Sequence, residues 1–149
     1  MKLEEEIKQS KFRNEFHKVA INIIYTHNWL QKSHSKLFTK FDITTNQYNI
    51  LRILRGQYPN VSTVNLLKER MLDKKCDASR LVERLRAKGY LKRDLSSDDR
   101  RRVDIVITDK GMKLLQEMDK LDERYDIICK NLSQQDAKKM NDLLDKLRG

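Results

Sequence analysis

Two arginines placed one helical turn apart are the residues of this chain best suited to bind a polyanion. Arg80 and Arg84 are four positions apart, so on a helix their side chains share one face. The guanidinium group of arginine is the most frequent bidentate partner of guanine in the major groove of DNA. Ser79 can reach a base or a phosphate, and Lys74 and Lys75 precede the segment, where a helix N-terminus also favours phosphate. These residues predict a DNA-binding surface.

A second group of cations follows further along the chain. Arg100, Arg101 and Arg102 come directly after Asp99. In an extended segment, side chains two positions apart point the same way, so the Asp99 carboxylate can orient the Arg101 guanidinium. Arg100 and Arg102 are predicted to contact phosphates, with simple solvation as the alternative.

The first arginine pair needs a helix that turns it outward, and residues 76–89 have the pattern of one. Ala78, Leu81, Val82 and Leu85 recur at i, i+3, i+4 and i+7, which places them on one face. Gly89 stands where a left-handed cap ends a helix. One face should therefore pack on a core, while the opposite, largely basic face stays in solvent.

Two residues of this segment have competing interpretations. Arg84 could instead pair with Glu83 or Asp77 on its own surface. Cys76 follows two lysines at the start of the helix, and thiols in such places have a lowered pKa and oxidise readily. Cys76 is therefore a candidate redox sensor, with an inert thiol as the alternative, whereas Cys129 is expected to be packed.

The residues after the helix predict a β-hairpin. Residues 91–94 can form a short strand, and Val103, Ile105 and Ile107 alternate with the period of a second strand. The polar loop of residues 96–102 between them contains the second group of cations. A basic helix followed by a basic-tipped hairpin predicts a winged helix-turn-helix.

The N-terminal half is predicted to be helical. One long helix should run from Leu3 to about Ser33, because neither Pro nor Gly interrupts the apolar spacing. Thr44 and Gln47 match a capping box that starts a second helix, which should run to about Arg55.

A third helix should complete the helix-turn-helix unit. Ser62 can cap it, and its apolar residues are Val64, Leu67 and Met71. A three-residue turn, 72–74, then leads into the helix that begins near Cys76.

The C-terminal part is predicted to be two further helices, the first capped by Thr108 and the second by Ser133 with Asp136. The first has a heptad seam, and dimerisation is favoured because the N-terminal helix and both C-terminal helices offer apolar stripes with no sheet to receive them. Packing within the monomer is the alternative. The seam residues are Leu114, Met118, Leu121, Tyr125, Ile128 and Leu132.

Composition agrees with a polyanion-binding protein of one domain. The 149 residues carry a formal net charge of +10, and residues 68–102 hold thirteen Lys and Arg against seven Asp and Glu. No apolar run approaches the length of a membrane span, and the acidic start is no signal peptide, so a cytoplasmic location is expected.

An enzyme is not predicted. The sequence has no Gly-rich phosphate loop, no G-x-S-x-G and no H-E-x-x-H. His17, His27 and His34 all fall in the first helix. His27 and His34 share a face, but no third ligand joins them at helical spacing, so neither a metal site nor a cofactor is predicted.

The central motifs resemble the MarR family of bacterial transcriptional regulators. The resemblance is carried by Ser79-Arg-Leu-Val-Glu-Arg-Leu-x-x-Lys-Gly89, by Asp99-Arg-Arg101, and by Ile105-x-Ile-Thr-x-Lys-Gly111. Cys76 departs from the small hydroxyl residue usual in the family, and Asp73 or Asp77 is expected to supply the helix cap instead.

The resemblance implies a mainly α fold with a small wing hairpin, in one domain spanning residues 1–149. A winged helix-turn-helix at about 44–108 would be flanked by dimerisation helices at about 3–33 and 109–148. It further implies a homodimer on double-stranded, pseudo-palindromic DNA, with Arg101 entering a minor groove whose negative potential attracts arginine.

The expected function is a sequence-specific regulator of transcription, most often a repressor in this family, released by a small aromatic or phenolic effector. Tyr25, Trp29 and Tyr48 could line the effector cleft, although core packing explains them equally well. A redox-responsive regulator acting through Cys76 and a weakly specific DNA-binding protein without effector stay open. A catalytic or protein-interaction role would need a pocket or patch that the sequence does not reveal.

Overall fold

Within the part of the chain that the structure describes, helices dominate the architecture, and one short antiparallel hairpin is inserted among them. The computed structural model describes residues 1–95, 103–120 and 129–149, except for the side chains of residues 36 and 37. In chain order the elements are α1 (Leu3–Glu6), α2 (Glu15–Phe38), a 3-10 turn (Thr39–Phe41), α3 (Thr45–Gln57), α4 (Val64–Arg70), α5 (Ala78–Ala87), β1 (Leu91–Leu95), β2 (Val103–Ile107), α6 (Asp109–Asp119) and α7 (Gln134–Arg148). The predicted fold class is confirmed.

The main core joins α3, α4, α5, the hairpin and α6. On α5 the side chains of Ala78, Val82 and Leu85 are fully buried, as the helical spacing predicts. They pack with Leu51 of α3 and Leu67 of α4, among other buried residues. Fully burying a side chain of leucine size contributes roughly 1.5–3 kcal/mol, so this cluster provides much of the stability of the winged helix-turn-helix.

The end of α5 and the start of the hairpin are fixed by backbone bonds. Gly89 adopts φ +74°, and the Tyr90 N–H donates to the Leu85 carbonyl at 3.0 Å, which gives the helix a Schellman cap. The chain then enters β1, which pairs with β2 so that Leu91 lies opposite Ile107. The predicted left-handed cap and the predicted strand pair are both confirmed.

The predicted first helix is wrong in its continuity. It is divided into α1 and α2, because the Asn14 side chain accepts a bond from the His17 N–H at 2.9 Å and caps a new helix. The chain turns back at Lys8, which has φ +52°, and α1 lies against α2. An ion pair of 2.5 Å joins Glu4 of α1 to Lys18 of α2.

Two predicted boundaries near the helix-turn-helix are also wrong. Ser62 caps no helix: its backbone pairs with Ile105 of β2, with both N–H···O distances 2.8 Å, and Thr63 is the cap of α4. The turn is longer than predicted, because α4 ends at Arg70 and α5 begins only at Ala78. By contrast, the capping box of Thr44 and Gln47 is confirmed, although its helix continues through Gly56 to Gln57.

The predicted seam does not form one continuous helix face. The helix capped by Thr108 ends at Asp119, and Leu132 lies in the turn before α7. Met118 is buried within its own chain against Phe38 and Ile43. The seam positions 121, 125 and 128 lie outside the described residues. The cap by Ser133 and Asp136 is confirmed.

The contact between α6 and the start of β1 generates a test of the fold. A Cβ atom added at Gly111 would stand 2.3 Å from the Tyr90 backbone oxygen and 2.8 Å from Ile107 Cγ1. Because a backbone oxygen in a capped turn cannot move aside cheaply, Gly111→Ala should lower the free energy of unfolding by about 3 kcal/mol. Urea or thermal unfolding measures it.

Gly56 provides the matched control, because a Cβ there would meet nothing within 4 Å. It lies in the last turns of α3, where alanine is the better helix former by about 1 kcal/mol. Gly56→Ala should therefore stabilise the protein. Equal effects from the two substitutions would contradict the close packing of α6 on the hairpin.

Candidate nucleic-acid interface

The outward face of α5 carries the predicted base-reading residues in solvent. Ser79, Arg80 and Arg84 are all exposed, while the opposite face of the helix is buried in the core. The Asp77 side chain accepts a bond from the Arg80 N–H at 3.0 Å and so caps the helix, as the sequence predicted for Asp73 or Asp77. The cap leaves the Arg80 side chain free to project from the first turn.

The competing interpretation for Arg84 is not supported. The Glu83 carboxylate binds Arg86 at 2.6 Å and lies 3.5 Å from Arg93. The Arg86 guanidinium holds the pKa of the Glu83 carboxyl below its usual range. Within the part of the chain that the structure describes, neither Arg80 nor Arg84 makes a side-chain ion pair.

The turn before α5 exposes the two predicted phosphate-binding lysines. Lys74 and Lys75 are both exposed, but the ammonium of Lys74 donates to the Glu69 carbonyl. The predicted wing residues Asp99, Arg100, Arg101 and Arg102 lie outside the described residues, so their contacts remain predictions.

The environment of Cys76 opposes the predicted lowered pKa. Burial and the nearby Asp73 carboxylate raise the pKa of the Cys76 thiol, and Asp77 adds to the effect. The thiol donates to the Asp73 carbonyl at 3.0 Å and lies 3.4 Å from the Met71 sulfur. The preceding lysines therefore do not activate this thiol. Cys129, predicted to be packed, is exposed.

A cleft of about 700 Å³ lies between α2 and the helix-turn-helix. Its lining comes from α2, from the first turns of α3, and from the turn between α4 and α5. The lining residues are His27, Leu30, Gln31, His34, Thr45, Asn46, Asn49, Leu72, Asp73, Lys74 and Lys75.

The three aromatic residues predicted for an effector cleft are not among the residues that line this one. Tyr25 donates to Glu6 at 2.6 Å and, with Trp29, lines a separate cavity beside α1. Tyr48 packs on Phe38, with ring centroids 5.0 Å apart. The sequence pattern did not single out the asparagines of α3, because exposed polar side chains on a helix are ordinary.

Two of the three histidines of the chain line this cleft. His27 and His34 share the predicted face of α2, and burial lowers the pKa of His34. Among the described residues, no group of three or more His, Cys, Asp and Glu side chains could hold a metal ion. In the same part of the chain, no helix combines the length and apolarity needed to cross a membrane.

A helix-turn-helix followed by a paired hairpin defines a winged-helix DNA-binding protein. Comparison with known proteins agrees. The protein-family model described as MarR family matches residues 41–102 of this chain. The regulator MgrA of Staphylococcus aureus is 31% identical over 113 residues, which cover 76% of this chain and 75% of MgrA. The chain belongs to the MarR family, so it is a DNA-binding transcriptional regulator and not an enzyme.

Solved structures show the same fold. The MepR–DNA complex of S. aureus has a TM-score of 0.70 at 26% identity and covers 90% of this chain and 96% of MepR. The organohalide-sensing regulator RdhR, solved with 2,4-dichlorophenol, has a TM-score of 0.82 at 18% identity and covers 94% of this chain and 85% of RdhR. The predicted family is confirmed.

The two cysteines provide a test of the site chemistry. Because thiolate is the reactive form, the raised pKa and partial burial of Cys76 should make it react with a disulfide reagent much more slowly than Cys129 at pH 7.5. Single-cysteine variants, Cys76→Ser and Cys129→Ser, separate the two rates. Asp73→Asn should speed the reaction of Cys76 by removing a charge that opposes the thiolate. A Cys76 that reacts as fast as Cys129 would restore the redox hypothesis.

Proposed function

We propose that the chain is a homodimeric, sequence-specific repressor of transcription whose binding to double-stranded DNA is relieved by a small-molecule effector. The observation that carries the DNA-binding step is the exposed face of α5, where Arg80 and Arg84 project without a carboxylate partner among the described residues. The similarity to MepR, which was solved as a DNA complex, supports the same step.

The remaining cations extend this surface in the proposal. Lys74 and Lys75 contact phosphates beside the N-terminus of α5, since backbone contacts position a protein on DNA while base contacts specify the sequence. In the wing, Asp99 orients Arg101 toward the minor groove, and Arg100 and Arg102 contact phosphates. Ser79 reaches a base or a phosphate from the first turn of α5.

An apolar groove between α2 and α7 supports the dimer. Val19 and Ile23 of α2 are 46% and 38% exposed, and Met140 and Leu143 of α7 are 48% and 57% exposed. Neighbouring apolar side chains that stay in water forgo the stabilisation that burial brings. A second copy of the chain is the proposed cover, because α2 and α7 flank the DNA-binding unit on its two sides in the sequence.

The cleft between α2 and the helix-turn-helix is the proposed effector site. Its volume lies within the range usual for small-molecule sites. Leu30 and Leu72 offer apolar contact, and Lys75 offers a cation. The Asp73 carboxylate is already bonded to the Asn46 amide and the Lys75 N–H, each at 3.0 Å. We infer that the effector is a small organic anion with an apolar body. RdhR, solved with a chlorinated phenol, gives a precedent on the same fold.

The arginine face predicts a difference between two residues of α5. Arg80→Ala should weaken binding to the best site by roughly 1–3 kcal/mol and relax the preference at one base pair. Arg86→Ala, the control, also removes one positive charge, but Arg86 is paired with Glu83. Footprinting and binding curves on selected and random DNA measure both. If Arg80→Ala weakens binding to every DNA sequence equally, the protein is a weakly specific DNA-binding protein instead.

The apolar groove predicts the oligomeric state. Sedimentation at micromolar concentration should give about twice the 17.8 kDa chain mass. Met140→Glu should give the monomer mass, because a carboxylate in an apolar interface is not compensated. Val61→Glu is the control, since Val61 is 46% exposed but lies outside the groove. A wild-type monomer that binds its operator with full affinity would rule out the dimer.

The cleft predicts discrimination by charge. Benzoate should bind and weaken operator binding, whereas benzamide, a neutral analogue of similar shape, should do neither. The charged side chains that line the cleft are Asp73, Lys74 and Lys75, and the two lysines supply the positive charge that an organic anion would contact.

Isothermal titration of benzoate measures this with two variants. Lys75→Ala should weaken benzoate binding because it removes a cation that lines the cleft, and Arg86→Ala, which removes a positive charge outside the cleft, should leave benzoate binding unchanged. Equal binding of benzoate and benzamide would show that the ligand charge is not what the cleft recognises.

A further inference from the structure

The turn between α4 and α5 joins the two helices although almost nothing in the turn is buried. Met71 before it and Ala78 after it are in the core, with 1% and 0% of their surface exposed. From Leu72 to Lys75 every residue is exposed, and the Leu72 side chain is 86% exposed. Hydrophobic packing therefore holds the two ends of this connection, and the conformation of the turn between them depends on hydrogen bonds.

Two asparagines of α3 supply those bonds. The Asn49 Oδ1 atom accepts the Leu72 N–H at 3.0 Å. The Asn46 amide donates to the Asp73 Oδ2 atom at 3.0 Å, across 27 residues of sequence. We call Asn46, Asn49 and Asp73 the amide clamp.

Asp73 connects the clamp to the residues that precede α5 by two further hydrogen bonds. Its other carboxylate oxygen accepts the Lys75 N–H at 3.0 Å, and its carbonyl accepts the Cys76 thiol at 3.0 Å. The Asn46 amide and the Lys75 N–H hold the pKa of the Asp73 carboxyl below its usual value, so the carboxylate stays ionised as an acceptor. One residue later Asp77 caps α5, and Ser79 and Arg80 follow in the first turn.

We infer that Asn46 and Asn49 are positioning residues for DNA recognition: through the amide clamp they set where the N-terminal turn of α5 lies. The inference rests on the proposed function of α5 and adds to it the residues that control the position of the Arg80 side chain. The clamp also lines the cleft between α2 and the helix-turn-helix, so a molecule bound there contacts the bonds that place α5.

The experiment measures the specificity ratio, which is the affinity for the selected operator divided by the affinity for random DNA of equal length. Asn46→Ala and Asn49→Ala should each lower this ratio by about three- to thirtyfold, the range reached by substitutions that couple two sites without touching the ligand. Random-sequence binding should be nearly unchanged, because phosphate contacts tolerate a small tilt of the helix.

Two variants separate positioning from a general loss of structure. Asn49→Asp keeps the acceptor oxygen for the Leu72 N–H, so its ratio should return to the wild-type value although its added charge weakens all DNA binding. Asn65→Ala removes an exposed asparagine of the neighbouring helix α4 and should leave the ratio unchanged. Melting temperatures of all four variants check that each is folded.

Hydrogen exchange tests the clamp without DNA. The Leu72 N–H should exchange faster in Asn49→Ala and the Lys75 N–H faster in Asn46→Ala, while amides in the middle of α5 keep their protection. Unchanged specificity ratios in both alanine variants, or unchanged exchange at both amides, would overturn the inference. A wild-type protein without sequence preference would instead overturn the proposed function, and it would do so before any variant is made.

Discussion

The burial of one face of α5 is the interaction on which the rest of the DNA-binding unit depends. Ala78, Val82 and Leu85 have no exposed surface, and their spacing leaves the arginine side of the helix in water. Because a helix has a fixed period, the choice of which residues are buried also decides which residues face a partner. Turning α5 by one residue would bury charged groups, which is far too costly to compete.

Charge is distributed on the same principle. Acidic residues near the interface are already bonded: Glu83 to Arg86 and Arg93, Asp77 to the backbone of Arg80, and Asp73 to Asn46 and Lys75. Arg80 and Arg84 are left without such partners among the described residues. This leaves positive charge on the solvent face of α5, and exposed ion pairs elsewhere on α5 contribute little to stability.

The sequence was most informative where a local rule has one physical cause. Gly89, the capping boxes at Thr44 and Ser133, and the alternation of Val103 to Ile107 each predicted what is observed, since each depends on neighbours within a few residues. The prediction of one long first helix was wrong because an uninterrupted apolar pattern does not show that Asn14 caps a new helix. The prediction that Ser62 caps a helix was wrong because its backbone partner, Ile105, is distant in sequence. The amide clamp was missed for the same reason. The lowered pKa predicted for the Cys76 thiol was wrong because burial and the Asp73 carboxylate outweigh the lysines beside it.

The two ends of α5 are held by different forces, and this difference has a consequence for regulation. At the C-terminal end, the Schellman cap at Gly89 and the buried Leu85 fix the helix by backbone bonds and packing. At the N-terminal end Ala78 is buried as well, but the turn before it is held by exposed side-chain bonds from α3. Net contributions of single hydrogen bonds are about 1 kcal/mol, well below the cost of moving a buried leucine. A ligand with a modest difference in affinity between two positions of this turn would therefore shift the turn before α5 more readily than it would shift the end of α5 beside the hairpin.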